Sequence, residues 1–88
     1  MRLLIFEGDS WSEYEKLRSD DKKAHNKLRQ ILKEMLRNDP AKGIGKPEQL
    51  KYDLSGYWSR RLTRYHRVVY RFDGEALFIT AIGGHYES

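Results

Sequence analysis

The chain has 88 residues, 39 % hydrophobic and 34 % charged, enough for one two-layer core and too little for a second. Lys and Arg number 17 against 13 Asp and Glu, for a net charge of +4, and there is no cysteine. That excludes a disulfide scaffold, a thiolate metal site and a cysteine nucleophile, and no apolar run nears the ~18 residues of a membrane span. Residues 1–88 read as a single domain, expected in the cytoplasm and away from any membrane.

Met1 to Phe6 is a short apolar run, read as a strand buried on both faces and too short for a signal peptide. Gly8-Asp9 ends it. Ser10-Trp11-Ser12-Glu13 has the form of a capping box and predicts a short helix from near Trp11. Ser19-Asp20-Asp21 then breaks and recaps the chain, the acidic pair suiting the next helix N-terminus. From Lys22, the positions Ala24, Leu28, Ile31, Leu32, Met35 and Leu36 trace one core-facing helical stripe, with His25 on the polar side. Asn38-Asp39-Pro40 stops this helix. Residues 41–47 read as a flexible basic loop that lacks the spacing of a phosphate-binding P-loop.

Beyond that loop the period changes to two. Gln49–Leu54, Trp58–Thr63, Arg67–Phe72 and Glu75–Ile82 are expected strands, with a turn at Leu54-Ser55-Gly56 and a two-residue hairpin at Asp73-Gly74. The expected fold is α+β. An N-terminal strand and two helices precede a four-stranded antiparallel meander, and the helices pack on one face of the sheet.

Charge is placed unevenly. Residues 42–71 carry Lys42, Lys46, Lys51, Arg60, Arg61, Arg64, Arg67 and Arg71 against only Glu48 and Asp53, with Tyr52, Tyr57, Trp58, Tyr65 and Tyr70 between them. Cations set among flat rings suit an RNA backbone with unstacked bases; a solvated basic surface fits the same composition. Strand alternation groups Val68, Tyr70 and Phe72 with Trp58 and Leu62, and sends Arg61 and Arg67 out together on the helix-free face. Arg60 shares the parity of Trp58 and Leu62, so it is expected at an edge or snorkelling. Lys46, Lys51, Arg60 and Arg61 are the candidate RNA-binding cations.

No cofactor is implied. The only close pair of metal-type ligands is His85-x-Glu87, a poor match to metal spacing, and no Gly-x-Ser-x-Gly elbow is present. Glu48 reads either as an ion-pair partner among cations or as a base. His85 follows two glycines, where packing does not explain an imidazole, while His25 and His66 read as structural. Glu48, His85 and Arg67 nevertheless form the set needed to cleave RNA without metal: a base for the 2′-OH, an acid for the leaving 5′-oxygen, and a cation for the charge growing on phosphorus.

Gly45-Lys46-Pro47-Glu48-Gln49-Leu50-Lys51, Leu54-Ser55-Gly56-Tyr57-Trp58-Ser59-Arg60-Arg61, His66-Arg67-Val68-Val69-Tyr70 and His85-Tyr86 together resemble the YoeB (Txe) toxins of the RelE/ParE superfamily. The resemblance covers essentially the whole chain. It implies a microbial-ribonuclease-like sheet and a ribosome-dependent messenger RNA endonuclease, held in check by a cognate, YefM-like antitoxin. Carried over, Glu48 matches the general base, His85 the general acid, Arg67 the transition-state cation, Lys51 and Arg61 cations around the scissile phosphate, and Tyr86 the aromatic partner of His85. An acidic antitoxin segment that folds over the basic face fits the charge distribution, and a homodimer is compatible with the resemblance. The sequence departs from the family pattern at Arg64-Tyr65, where an acidic pair is common, at Gly83-Gly84, and in the Glu87-Ser88 that follow His-Tyr. Two rivals stand beside this reading: a module that binds RNA, ribosome or partner without cleaving, and a gyrase-directed toxin of the ParE branch.

Overall fold

The computed structural model describes residues 1–84; the expectations for His85 and Tyr86 lie outside the described residues. Its elements run β1 (Leu3–Phe6), α1 (Ser10–Asp20), α2 (Lys22–Arg37), β2 (Glu48–Gln49), a 3₁₀ turn (Tyr52–Leu54), β3 (Trp58–Arg61), β4 (His66–Phe72) and β5 (Ala76–Gly84). The sheet order is β1-β5-β4-β3-β2. β2 to β5 form the antiparallel meander, and β1 adds to β5 in parallel, Leu3 opposite Ala76 and Phe6 opposite Ile79. The α+β class and the helix–meander order are as expected.

One face of the sheet meets the helices. Leu17 of α1 and Ala24, Leu28, Ile31, Leu32 and Met35 of α2 pack on Leu62, Val68, Tyr70, Leu77, Ile79 and Ile82. Burying each large side chain stabilises the fold by about 1.5–3 kcal/mol, which is why the α2 stripe was legible as core. Asp21 caps α2 as expected, its carboxylate accepting the Ala24 N–H at 3.0 Å.

Several local expectations change. β1 is not buried on both faces: it is an edge strand with Leu3 67 % exposed, because none of the described elements covers its far side. The capping box does not form. Ser10 is buried and donates its hydroxyl to the Ile79 carbonyl at 2.9 Å, while Glu13 accepts the Ile82 N–H at 3.0 Å. Both side chains satisfy backbone groups of β5, whose edge runs on past the end of β1, and so they tie α1 to the sheet. β5 carries a bulge there: Val69 pairs with Ala81 but Tyr70 with Ile79, leaving Thr80 as the extra residue.

The strand expected over Gln49–Leu54 shrinks to Glu48–Gln49. Tyr52 sits at φ 58°, and the chain coils into a 3₁₀ turn before Leu54-Ser55-Gly56-Tyr57 closes with Tyr57 N–H on Leu54 C=O at 3.0 Å. Gly56 at φ 94° supplies the left-handed position of this type II turn. In the last hairpin the tip is Gly74-Glu75. Asp73 caps it instead of forming it, accepting the N–H groups of Glu75 and Ala76 at 2.8 Å each. Those two bonds hold the Asp73 carboxyl below its ordinary range. No helix of the described residues is long and apolar enough to cross a membrane.

Candidate active site

The open face of the sheet is assembled by register. Glu48 pairs with Ser59, Ser59 with Val69, Arg61 with Arg67, and Arg67 with Gly83. Directly paired residues share a face, and so do residues two apart on one strand. Glu48, Ser59, Arg61, Arg67 and Gly83 therefore lie on one side, opposite the side that carries Trp58, Arg60, Val68 and Tyr70. Two like charges directly opposite each other destabilise a sheet. Arg61 and Arg67 are such a pair, and neither has an ion-pair partner among the described residues. Such an arrangement favours an anion lying between the guanidinium groups.

Arg60 is a correction. It neither snorkels nor reaches the surface, so it is not an RNA-binding cation: its side chain has 0 % exposure. Nη1 donates to Glu34 Oε1 at 2.7 Å and to the Ile44 carbonyl at 3.0 Å. Nη2 donates to the carbonyls of Pro40 and Lys42 at 2.9 and 2.7 Å, and Nε to the Tyr70 hydroxyl at 3.1 Å. A guanidinium has five N–H groups, and these contacts use all of them. Tyr70 in turn donates its O–H to the Pro40 carbonyl at 2.7 Å, and burial pushes its hydroxyl pKa up.

The consequence is a fixed loop where a flexible one was expected. Arg60 gathers the carbonyls of residues 40, 42 and 44, and Glu34 also accepts the Ile44 N–H at 3.2 Å. Gly45 then presents its carbonyl to the Arg61 N–H at 2.7 Å. Gly45 has φ +83°, and a Cβ there would meet the Arg61 carbonyl oxygen at 2.8 Å, so both conformation and approach require glycine. This clamp sets where the following Lys46 and Glu48 leave the loop.

Other expected site residues take these places. Glu48, Lys46 and Lys51 are exposed, Lys51 at the start of the 3₁₀ turn. His66 is structural: its Nδ1 lies 3.2 Å from Asp21 Oδ2 and 3.4 Å from Thr63 Oγ1, joining the α2 cap to the β3–β4 turn. His25, expected on the polar side of α2, is buried at 7 % exposure beneath the Tyr14 ring, 4.7 Å between centroids. It lies one turn from Leu28, on the flank of the stripe that α1 covers, and burial together with Arg29 and Arg18 lowers its pKa. Arg71, on the open face, is occupied. Its Nη2 sits 2.6 Å from Glu7 Oε2 and its guanidinium 3.9 Å over the Phe78 ring. The hydrogen bond and charge of Arg71, with the Thr80 hydroxyl, hold Glu7 below the usual carboxylate range.

A family model described as the YoeB-like toxin of bacterial type II toxin-antitoxin system matches residues 6–86. The chain belongs to the YoeB-like toxin family. Toxin YoeB of Escherichia coli O6:H1 is 43 % identical over 83 residues, 94 % of this chain and 98 % of that protein. A YoeB dimer from Staphylococcus aureus superposes with TM-score 0.86 at 38 % identity, over 97 % of this chain and 98 % of that one. A heterotetrameric YoeB-YefM complex from the same organism gives 0.84 at 39 %, over 98 % and 100 %. In this YoeB-like chain one cation, Lys27, escaped the sequence reading. Lys27 on α2 and Arg64 in the β3–β4 turn line a cavity with Lys46 and Arg61. Only tertiary packing brings α2 beside that turn, so the sequence carried no signal for Lys27.

Proposed function

We propose that this YoeB-like toxin is a ribosome-dependent endoribonuclease that cuts messenger RNA by general acid–base attack of the 2′-OH on the adjacent phosphate. The observation that carries this reading is the open sheet face, where Glu48 lies with an Arg61–Arg67 pair that has no acidic partner among the described residues. Glu48 takes the 2′-OH proton, and the 2′-oxygen bonds to phosphorus. Arg67, with Arg61 beside it, stabilises the charge on the pentavalent phosphorus. The bond to the 5′-oxygen breaks as that oxygen takes a proton from His85, which follows Gly84 in the chain and is assigned this role by family resemblance, with Tyr86 as its aromatic partner. The products end in a 2′,3′-cyclic phosphate and a 5′-hydroxyl. Lys46 and Lys51 hold flanking phosphates.

The solved relatives from Staphylococcus aureus include a dimer and a complex with YefM. By the same reading this chain pairs with a YefM-like antitoxin, whose acidic segment covers the basic face, and forms a homodimer. Its place of action is the bacterial cytoplasm, where ribosomes are.

Primer extension on transcripts after induction tests the reaction. Discrete 5′ ends on ribosome-bound messages, absent for Glu48→Gln, are expected. Arrested translation without such ends would make the protein an occupancy inhibitor.

A further inference from the structure

A cavity of about 450 Å³ opens beside the active face, between the clamped loop, the end of β3 and α2. Among the described residues its charged lining is cationic: Lys27, Lys46, Arg61 and Arg64. No acidic side chain of the described residues lines it, and none of the four has an ion pair among them. The other arginines of the basic half behave differently where acids are near, Arg60 pairing with Glu34 and Arg71 with Glu7. Four like charges around one concavity, without counterions, concentrate positive potential and leave the site suited to an anion.

The walls are fixed before anything binds. Arg61 N–H holds the Gly45 carbonyl at 2.7 Å, so loop and strand move together. Lys46 has φ 51°, the left-handed region that a non-glycine residue occupies at a cost, and it persists because the Arg60 clamp holds the loop behind it. On the far wall, Thr63 Oγ1 accepts the N–H groups of Tyr65 and His66, both at 3.1 Å, closing the turn that carries Arg64. Arg61 belongs to both places: it lines the cavity and pairs with Arg67 on the open face. A polyanion crossing the open face is thereby led into the cavity.

We propose that this cavity is a second phosphate subsite, which holds a backbone phosphate of the RNA strand flanking the cleaved one, with Lys27 and Arg64 as its own cations. This rests on the nuclease reading for the identity of the strand. Single-stranded RNA fits better than an isolated small anion, because the cavity is continuous through Arg61 with the face where the reacting phosphate lies.

The probe is a single-stranded RNA oligomer with every 2′-OH methylated, which cannot be cut through the 2′-oxygen. The full chain is compared with a Lys27→Gln/Arg64→Gln double variant and with a Lys23→Gln/Lys33→Gln double variant. The latter removes equal charge from exposed positions of α2 outside the cavity. Removing the subsite is expected to weaken binding on the order of tenfold, the equivalent of one lost charge-assisted contact. It should also reduce the magnitude of the slope of log affinity against log salt by about 0.7, the value for one phosphate contact. The Lys23/Lys33 variant should change both by clearly less. Equal effects from the two variants, or none from Lys27→Gln/Arg64→Gln with its thermal melt unchanged, would overturn the proposal. So would a loss of affinity for a glutamate-rich peptide with RNA binding intact, since the cavity would then belong to an acidic protein segment. Because the oligomer measurement needs no cleavage, the subsite and the nuclease reading can fail independently.

Discussion

Arg60 shows how one side chain can look like a ligand-binding cation and serve the fold instead. Its five donors hold Glu34, Tyr70 and three loop carbonyls, and replacing it leaves the carboxylate and the carbonyls of Lys42 and Ile44 short of donors. Arg60→Met is expected to lower unfolding free energy by about 3 kcal/mol in urea denaturation, the low end for a broken buried ion pair, since Glu34 keeps some contact with water. Arg60→Lys should recover little of this, because an ammonium has three donors and no planar fork. The residues proposed to react are separated by rate. Glu48→Gln and His85→Gln should each slow single-turnover cleavage on ribosomes by about 10²–10⁴, and Arg67→Ala by about 10²–10³. His66→Gln should cost less than His85→Gln, because the His66 ring is spent on Asp21 and Thr63. A 2′-deoxy substitution at the cut should abolish cleavage; persistence would mean an activated water is the nucleophile.

Among the elements, α2 carries a titration that its sequence position hides. Burial first, then the charges of Arg29 and Arg18, lowers the His25 pKa, so the folded chain holds the imidazole neutral to lower pH than the unfolded chain does. Between the unfolded value near 6.5 and the lower folded value, the unfolded chain binds more protons, and stability falls as pH falls. Denaturation midpoints of the wild-type chain should therefore drop from pH 7.5 to pH 5.5, and His25→Phe, which keeps a ring against Tyr14, should flatten that limb. Glu7 and Asp73 act in a lower window. Their depressed pKa values contribute stability above the ordinary carboxylate range that is lost as pH falls through the folded values. Glu7→Gln should leave the His25 limb intact and make the acid limb shallower. Both profiles come from the same set of urea titrations.

At the scale of the molecule, Arg61, Arg67 and Arg71 lie on the sheet face opposite the helices and Lys27, Lys46 and Arg64 around the adjoining cavity, while the main apolar cluster lies on the helix side and Val69 is buried on the other. Of the cations in residues 46–71, Arg60 is sealed inside and Arg71 is tied to Glu7. Lys46, Lys51, Arg61, Arg64 and Arg67 remain for the proposed RNA contacts. Four or five phosphate contacts give a slope of log affinity against log salt of about −3 to −3.5 for a single strand. A flat salt dependence would contradict an electrostatic face. Arg71→Gln should leave the slope nearly unchanged, which separates cations that are merely present from those that are free.

Much of this was written in the sequence. The α2 stripe, the Asp21 cap, the Ser55-Gly56 turn and the alternation of β3 and β4 are local patterns with local causes, and they sufficed for the fold class. The same alternation placed Arg61 and Arg67 on one face, and the motifs at residues 45–51, 54–61 and 66–70 carried the family. What the sequence could not rank was competition between local and tertiary partners. Ser10 and Glu13 satisfy a capping box on paper, yet β5 offers them the Ile79 carbonyl, which Ser10 shares with the Glu7 N–H, and the Ile82 N–H. Arg60 has the parity of a core residue and the charge of a surface one. Only the meeting of Glu34, Tyr70 and the loop carbonyls, from three separate stretches of chain, makes its burial tolerable. Lys27 joined the cavity for the same reason. A single position records what a residue can bond with, and the tertiary structure decides which of those partners comes within reach.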